Sequence, residues 1–335
     1  MNISALDVFP AALTAYLSEH PKLSATITET DLDGIELPLR NATTGKGFRR
    51  LLLLSLCDYL NIQIQSDDQR LNTISRFVDI LHDSSLLIDD IEDNSKTRRN
   101  EPCAYIQYGI ALTLNCGTFG IFKATNELIS FMDHEKDNLF SPAIKYDILK
   151  IVNEEIMNLH VGQGLEIFWR DVSLEVPELI DYIKMIRMKT SGMLRIMARL
   201  FSKFFSININ DEDRILKLMD FIGIAYQIRD DYLNLATKDA ADILEGKFSF
   251  PILLGINKEL EQSKSSRIYH VMVKKYKQKA DVQMVLQLLK ETSIFDQNKQ
   301  LINSIVDHII KYFKFEESFP INHLLLKLKL DYENQ

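Results

Sequence analysis

Cysteine is scarce: Cys57, Cys103 and Cys116 are the only three in 335 residues, and no C-x-x-C pair occurs. An odd set with no paired motif argues against a disulfide framework and a paired-cysteine zinc site, and it suits a reducing compartment. Glycine and proline are also few, twelve and eight, so little interrupts long helices and little builds the turns of a sheet protein. Long apolar runs are missing. The longest, Leu51 to Cys57, contains a serine and is bounded by Arg50 and Asp58, far short of a bilayer span. The first thirty residues hold one lysine and no arginine, unlike a secretory or mitochondrial leader, and the final DYENQ carries no lipidation signal. A cytoplasmic protein is expected. Positive charge is in deficit as well: 39 basic against 47 acidic residues leave a net charge of -8, which argues against nucleic acid as a partner and for a small ligand or a metal.

What is present is helical periodicity. Apolar residues recur every three or four positions from Gln69 to Asp93 (Leu71, Ile74, Phe77, Val78, Leu81, Ile88) and from Ile215 to Leu235 (Ile215, Leu218, Met219, Ile222, Tyr226, Leu233). The same period predicts helices over 144–169 and 183–201. No strict alternation or hairpin series suggests a sheet. With 46% hydrophobic residues and no linker or repeat, the chain reads as one all-α domain, 1–335, of about ten helices. It is long for a single core, and a deep central cavity would account for the length.

Two acidic clusters end apolar helices. In SSLLIDDIEDNSKTRRN, Asp89 and Asp93 share a helix face with Asp90 beside them, at a helix end where the dipole is already negative. A cation is the natural counterpart, and oxygen ligands with open positions suit Mg²⁺ bridging carboxylates to phosphates. In QIRDDYLNL, Gln227, Asp231 and Asn234 share a face and Asp230 lies one turn from Asn234. If the two helices are neighbours, two acidic edges could hold several ions around one diphosphate. Either cluster by itself also fits a solvated helix end. Cations suited to phosphate stand in GKGFRR, at Arg98 and Arg99, in MKTSG and in EGKFSF.

Taken in order, GKGFRR, LLHDSSLLIDDIED, RR, NLHVGQGLEIFWRD, MKTSG, YQIRDDYLNL and EGKFSFPI resemble the motif series of the trans-isoprenyl diphosphate synthases, closest to the fungal and animal type of geranylgeranyl diphosphate synthase. The resemblance covers a motif-bearing core over 45–251, leaving C-terminal helices over 252–335. It implies the isoprenoid synthase fold, with antiparallel helices around a cavity, and a homodimer. It further implies condensation of isopentenyl diphosphate with dimethylallyl, geranyl or farnesyl diphosphate, with up to about three Mg²⁺ per site. By this resemblance Asp89, Asp93 and Asp230 hold metal, Asp90 and Asp231 support them, and Lys189 joins these carboxylates in catalysis. Arg98, Lys189, Thr190, Gln227, Asn234 and Lys247 would grip the allylic diphosphate, and Lys46, Arg49, His82 and Arg99 the isopentenyl diphosphate. Gln163 and Glu166 would face the cavity.

Chain length, on the same resemblance, is set before the first acidic cluster, where Ser84 and Ser85 are too small to stop elongation at fifteen carbons. Ile121, Phe122 and His160 align with a deeper floor, which points to a twenty-carbon product. Asn100, Tyr105 and Ser191 depart from the usual glycine, histidine and glycine, and the 235–246 segment is short, so that Lys238 could substitute for a missing lysine only with a shifted loop. Other readings remain open: a class I terpene cyclase, in which Lys46, Arg49 and His82 would lack a purpose; a non-catalytic regulatory subunit; a ligand-free helical scaffold; or a synthase of another product length, farnesyl or longer than twenty carbons.

Overall fold

The computed structural model describes residues 13–19, 29–40, 48–65, 67–99, 101–135, 139–236, 240–315 and 319–330. In chain order the elements are α1 (Glu29–Ile35), α2 (Leu37–Arg40), α3 (Phe48–Tyr59), α4 (Gln69–Glu92), β1 (Thr97–Arg98), β2 (Glu101–Pro102), α5 (Ala104–Tyr108), α6 (Ile110–His134) and α7 (Pro142–Phe168). A π-helical turn, Trp169–Ser173, extends α7 and is followed by α8 (Leu179–Lys189), α9 (Ser191–Phe204), α10 (Ile209–Ala236), α11 (Ala241–Glu245) and α12 (Phe250–Gln262). Four more helices complete the fold: α13 (Arg267–Met272), α14 (Lys279–Glu291), α15 (Ile294–Phe313) and α16 (Pro320–Leu326). The chain is all-α, as its periodicity predicts; among the described residues the only sheet is the two-residue antiparallel pair β1–β2.

The chain divides into two compact units, Met1–Thr43 with Asp83–Ile121, and Thr44–His82 with Phe122–Gln335. In the first, α2 packs on α5. In the second, α9 lies along both α7 and α10, α8 on α7, α15 on α10 and α16 on α3. Its core gathers Tyr182, Met185, Ile228, Ile243, Ile252 and Leu289, among others. Each large apolar side chain so buried contributes about 1.5–3 kcal/mol.

Local signals explain the boundaries. Asp68 caps α4, accepting from the Arg70 amide at 2.9 Å, and Asn94, at φ +53°, ends it. Ser141 caps α7 ahead of Pro142. The expected apolar stripe of α4 is buried through Leu71, Ile74, Phe77, Val78 and Leu81. On α10, Ile215, Leu218, Met219 and Ile222 are buried but Tyr226 is half exposed. The helix expected over 183–201 is two helices, α8 and α9, parted at Thr190. Their apolar registers run on across the joint, so periodicity does not reveal the break. Among the described residues no helix is long and apolar enough to cross a membrane.

Candidate active site

The first acidic cluster belongs to the first unit. Asp89 and Asp90 occupy the last turn of α4 and Asp93 follows it, its amide donating to the Asp89 carbonyl at 2.9 Å. The chain then turns through Asn94 and the β1–β2 pair, which returns Arg98 to the carboxylates. One Arg98 Nη lies 2.6 Å from Asp90 Oδ1 and 3.0 Å from Asp89 Oδ2, and Arg98 Nε donates to Asp90 Oδ1 at 2.7 Å. Burial works against the Arg98 charge, yet the two carboxylates outweigh it and raise its pKa above the ordinary value.

The two acids facing Arg98 therefore differ. The Asp90 side chain is 5% exposed and doubly bonded to Arg98, whereas that of Asp89 is 23% exposed. Cys103 lies beside Asp90, and burial together with that carboxylate pushes its thiol up to about 12, which leaves it unreactive. Ser84, one and a half turns before Asp89, is fully buried. Ser85 is partly buried, and Arg99 is exposed in the turn at φ +55°.

The second cluster belongs to the second unit, where a chain of hydrogen bonds organises it. Tyr182, on α8, donates its hydroxyl to Asp231 Oδ2 at 2.5 Å, and the Phe250 amide donates to the same oxygen at 2.8 Å. Gln227 Nε2 donates to Asp231 Oδ1 at 2.8 Å, while Thr190 donates to Gln227 Oε1 at 2.5 Å. Asp231 thus joins α8, α10 and α12, and its oxygens are taken up by the protein. Burial pushes it up to about 6 despite these bonds.

Its neighbour Asp230 is partly exposed and accepts from Asn234 Nδ2 at 3.4 Å. That amide also reaches Asp242 Oδ1 at 3.2 Å. Asp242 is a buried carboxyl, 2% exposed, whose backbone carbonyl receives the Gly246 and Lys247 amides at 2.9 Å each. Gly246, at φ +87°, makes the turn that presents Lys247; Lys247 Nζ lies 2.9 Å from Glu245.

Lys189, the last residue of α8, sits 2.5 Å from Glu166 of α7. It comes this close because Gly162 abuts its backbone: a Cβ there would stand 2.6 Å from the Lys189 nitrogen. Ser191, in place of a glycine, is accommodated by bare backbone opposite. A Cβ at Gly223 would lie 2.3 Å from its Oγ, which instead donates to the Asp220 carbonyl at 3.2 Å.

Sequence reasoning named Asp231, Gln227, Thr190, Asn234, Lys189 and Glu166, which this unit does bring together, but it missed Tyr182 and Asp242. An acid flanked on both sides by apolar residues, Asp242 within AADIL, is the signal that could have found it. Arg49 is held by Asp79 through its Nε and Nη2, at 2.8 and 2.7 Å, and His82 is partly buried on α4. Ile121 is buried, but Phe122 is 70% exposed. His160 is exposed and bonded to the Ile156 carbonyl of its own helix at 2.9 Å. Tyr105 donates to Asn94 Oδ1 at 3.2 Å. Lys46, Asn100 and Lys238 lie outside the described residues.

The donor chemistry suits a hard cation. In the first unit two carboxylates already converge on one positively charged nitrogen of Arg98, and the oxygens are those Mg²⁺ selects. Among the described residues no three His, Cys, Asp or Glu side chains form a ready-made metal cage.

Known proteins are similar to this chain over most of its length. A family model for polyprenyl synthetase matches residues 35–289. A geranylgeranyl pyrophosphate synthase of Dictyostelium discoideum is 34% identical over 299 residues, 87% of this chain and 90% of its own. Others from Penicillium canescens and Aspergillus versicolor are 33% and 32% identical, covering 77% and 81% of this chain and 72% and 69% of theirs. With the match spanning both carboxylate clusters and most of the sequence around them, the chain belongs to the polyprenyl synthetase family of prenyltransferases.

Proposed function

We propose that this prenyltransferase condenses isopentenyl diphosphate with allylic diphosphates and stops at geranylgeranyl diphosphate. The observation that carries the reading is the division of labour within each cluster: one acid is anchored by the protein, Asp90 by Arg98 and Asp231 by Tyr182, while its neighbour, Asp89 or Asp230, is more open. That is the arrangement required to present carboxylates rigidly to a cation rather than to fold the helix end. The twenty-carbon product is supported by the names of the relatives.

Asp89, Asp93 and Asp230 would hold Mg²⁺, up to about three ions per site, which when bound supply positive charge to the departing diphosphate. Arg98, Lys189, Thr190, Gln227, Asn234 and Lys247 bind the allylic diphosphate, and Lys46, Arg49, His82 and Arg99 bind isopentenyl diphosphate. The allylic C1–O bond breaks, leaving a carbocation whose charge the bound diphosphate balances. The isopentenyl double bond attacks that carbon, a C–C bond forms, and the released diphosphate takes the proton lost from the adjacent carbon. A closed apolar pocket keeps water from the cation, and Ser84, Ser85 and Ile121 set how far the chain grows.

The enzyme works in the cytoplasm as a homodimer. On α7 the exposed apolar residues Tyr146, Leu149, Met157, Val161 and Phe168 recur at helical spacing, a stripe that a second copy would cover together with Phe122 and His160. Incubation with Mg²⁺, labelled isopentenyl diphosphate and each allylic starter should give a twenty-carbon diphosphate. Absence of any elongated product sinks the proposal.

A further inference from the structure

In the second unit, the turn that presents Lys247 is packed from two other parts of the chain. Gly246 stands at φ +87°, and a Cβ there would lie 3.2 Å from Lys277 Nζ, 3.3 Å from the Met272 carbonyl oxygen and 3.6 Å from Arg170 Cγ. Lys277 comes from the segment between α13 and α14, and Arg170 from the π-helical turn after α7. Two cationic side chains therefore meet at the bare face of one glycine, a single residue before Lys247.

Packing does not account for a lysine at this point. Lys277 is partly buried, and burial, opposed by Asp281 and helped by the Arg170 charge, lowers its pKa from the ordinary lysine value. Among the described residues its Nζ makes one hydrogen bond, to the Lys274 carbonyl at 3.1 Å, and no ion pair. The acids close by are engaged elsewhere. Asp281 takes Lys274 at 2.6 Å and the Gln278 amide at 2.9 Å, and Asp171 takes Arg170 Nε and Nη2 at 2.8 and 2.9 Å. The Asp281 and Gln278 side chains cap α14 reciprocally, so the segment is fixed and the inward pose of Lys277 comes with it. A methionine would fill the same space without the cost of a half-buried charge. What the ammonium offers instead is two N–H donors to spare on a flexible four-carbon stem, which are the properties of a phosphate ligand.

We propose that Lys277 is a second cation of the diphosphate site served by Lys247, and that it stands in for the lysine the short 235–246 segment lacks. The proposal rests on the synthase reading above. Lys247 has Glu245 at 2.9 Å to offset its charge. Lys277 has no carboxylate of its own, so it gives the Gly246 turn the surplus of positive charge that draws a diphosphate to it. Re-aiming its ammonium toward the ligand gives up a single hydrogen bond.

The test measures binding of inorganic pyrophosphate with Mg²⁺ by calorimetry, and KM for farnesyl diphosphate, in the full-length parent and in Lys277→Met, Lys277→Arg, Lys275→Met, Lys238→Met and Lys247→Ala. Lys277→Met is expected to weaken pyrophosphate about three- to fivefold, the effect of one partly exposed charge, and to raise KM more than it lowers kcat, while Lys277→Arg keeps the parent affinity. Lys275→Met, which removes the same charge from an exposed neighbour, should bind as the parent does. Lys277→Met with the parent's affinity overturns the proposal, whatever happens to its melting temperature. So does an equal loss in Lys275→Met, the mark of a general charge effect, or a loss confined to Lys238→Met. If Lys277→Met does not fold, Lys277→Gln is read by the same criteria. A Lys247→Ala protein that binds like the parent sinks the role given to Lys247 and this proposal together, whereas a weakened Lys247→Ala beside an unchanged Lys277→Met sinks this proposal alone.

Discussion

Tyr182 donates its hydroxyl to Asp231 at 2.5 Å, linking two residues 49 positions apart in the chain. Because both groups are buried, removing the donor leaves a carboxylate oxygen with the Phe250 amide alone. Tyr182→Phe should lower unfolding stability by about 1–3 kcal/mol, the cost of a buried polar group that loses its partner. Urea unfolding measures it, and a change below about 0.5 kcal/mol, the level of an ordinary surface substitution, would count against the assignment.

The same carboxyl makes stability depend on pH. Burial raises Asp231 from 3.8 to about 6, and burial with the nearby Asp231 charge raises Asp242 well above its ordinary value. The folded chain keeps protons that the unfolded chain releases near pH 4. The Asp231 contribution is therefore fully present below about pH 4 and is lost as the pH rises through about 6. Metal-free protein should lose unfolding free energy across that window, and Asp231→Asn should lose less. Equal slopes for parent and variant would refute the account.

Asp89 and Asp90 should not be equivalent. Replacing the more open Asp89 by alanine removes a group that acts on developing charge, and kcat should fall by about 10²–10³. Asp90→Asn should mainly weaken the hold on Arg98, raising KM for the allylic diphosphate more than it lowers kcat. Steady-state rates against Mg²⁺ and substrate separate the two, and indistinguishable variants would contradict the division seen in the structure.

Lys189 is held by Glu166 at 2.5 Å. Glu166→Gln removes the competing negative charge, so inorganic pyrophosphate should bind about two- to fivefold more tightly, as expected for about 0.5–1 kcal/mol of a partly exposed ion pair. Lys189→Ala should weaken the same binding. Calorimetry without substrate reads both, and tighter binding by the alanine variant would exclude Lys189 as a phosphate ligand.

The long helices α4, α7 and α10 were legible because an apolar stripe of period near 3.6 survives in the sequence wherever one face is buried. The acidic spacing was legible for the same geometric reason. Tyr182 was not, because nothing local to it marks a tyrosine as the donor to an aspartate on another helix. The joint at Thr190 was hidden by two stripes that share a phase.

That joint has a further consequence. Lys189 addresses Glu166 on α7 while Thr190 addresses Gln227 on α10, so adjacent residues report to different neighbours through one break in the helix. Each added or deleted residue in α8 would swing the pair by about 100° and spoil both engagements at once. Length variation in this stretch should be far less tolerated than substitution, and natural insertions should collect beyond it.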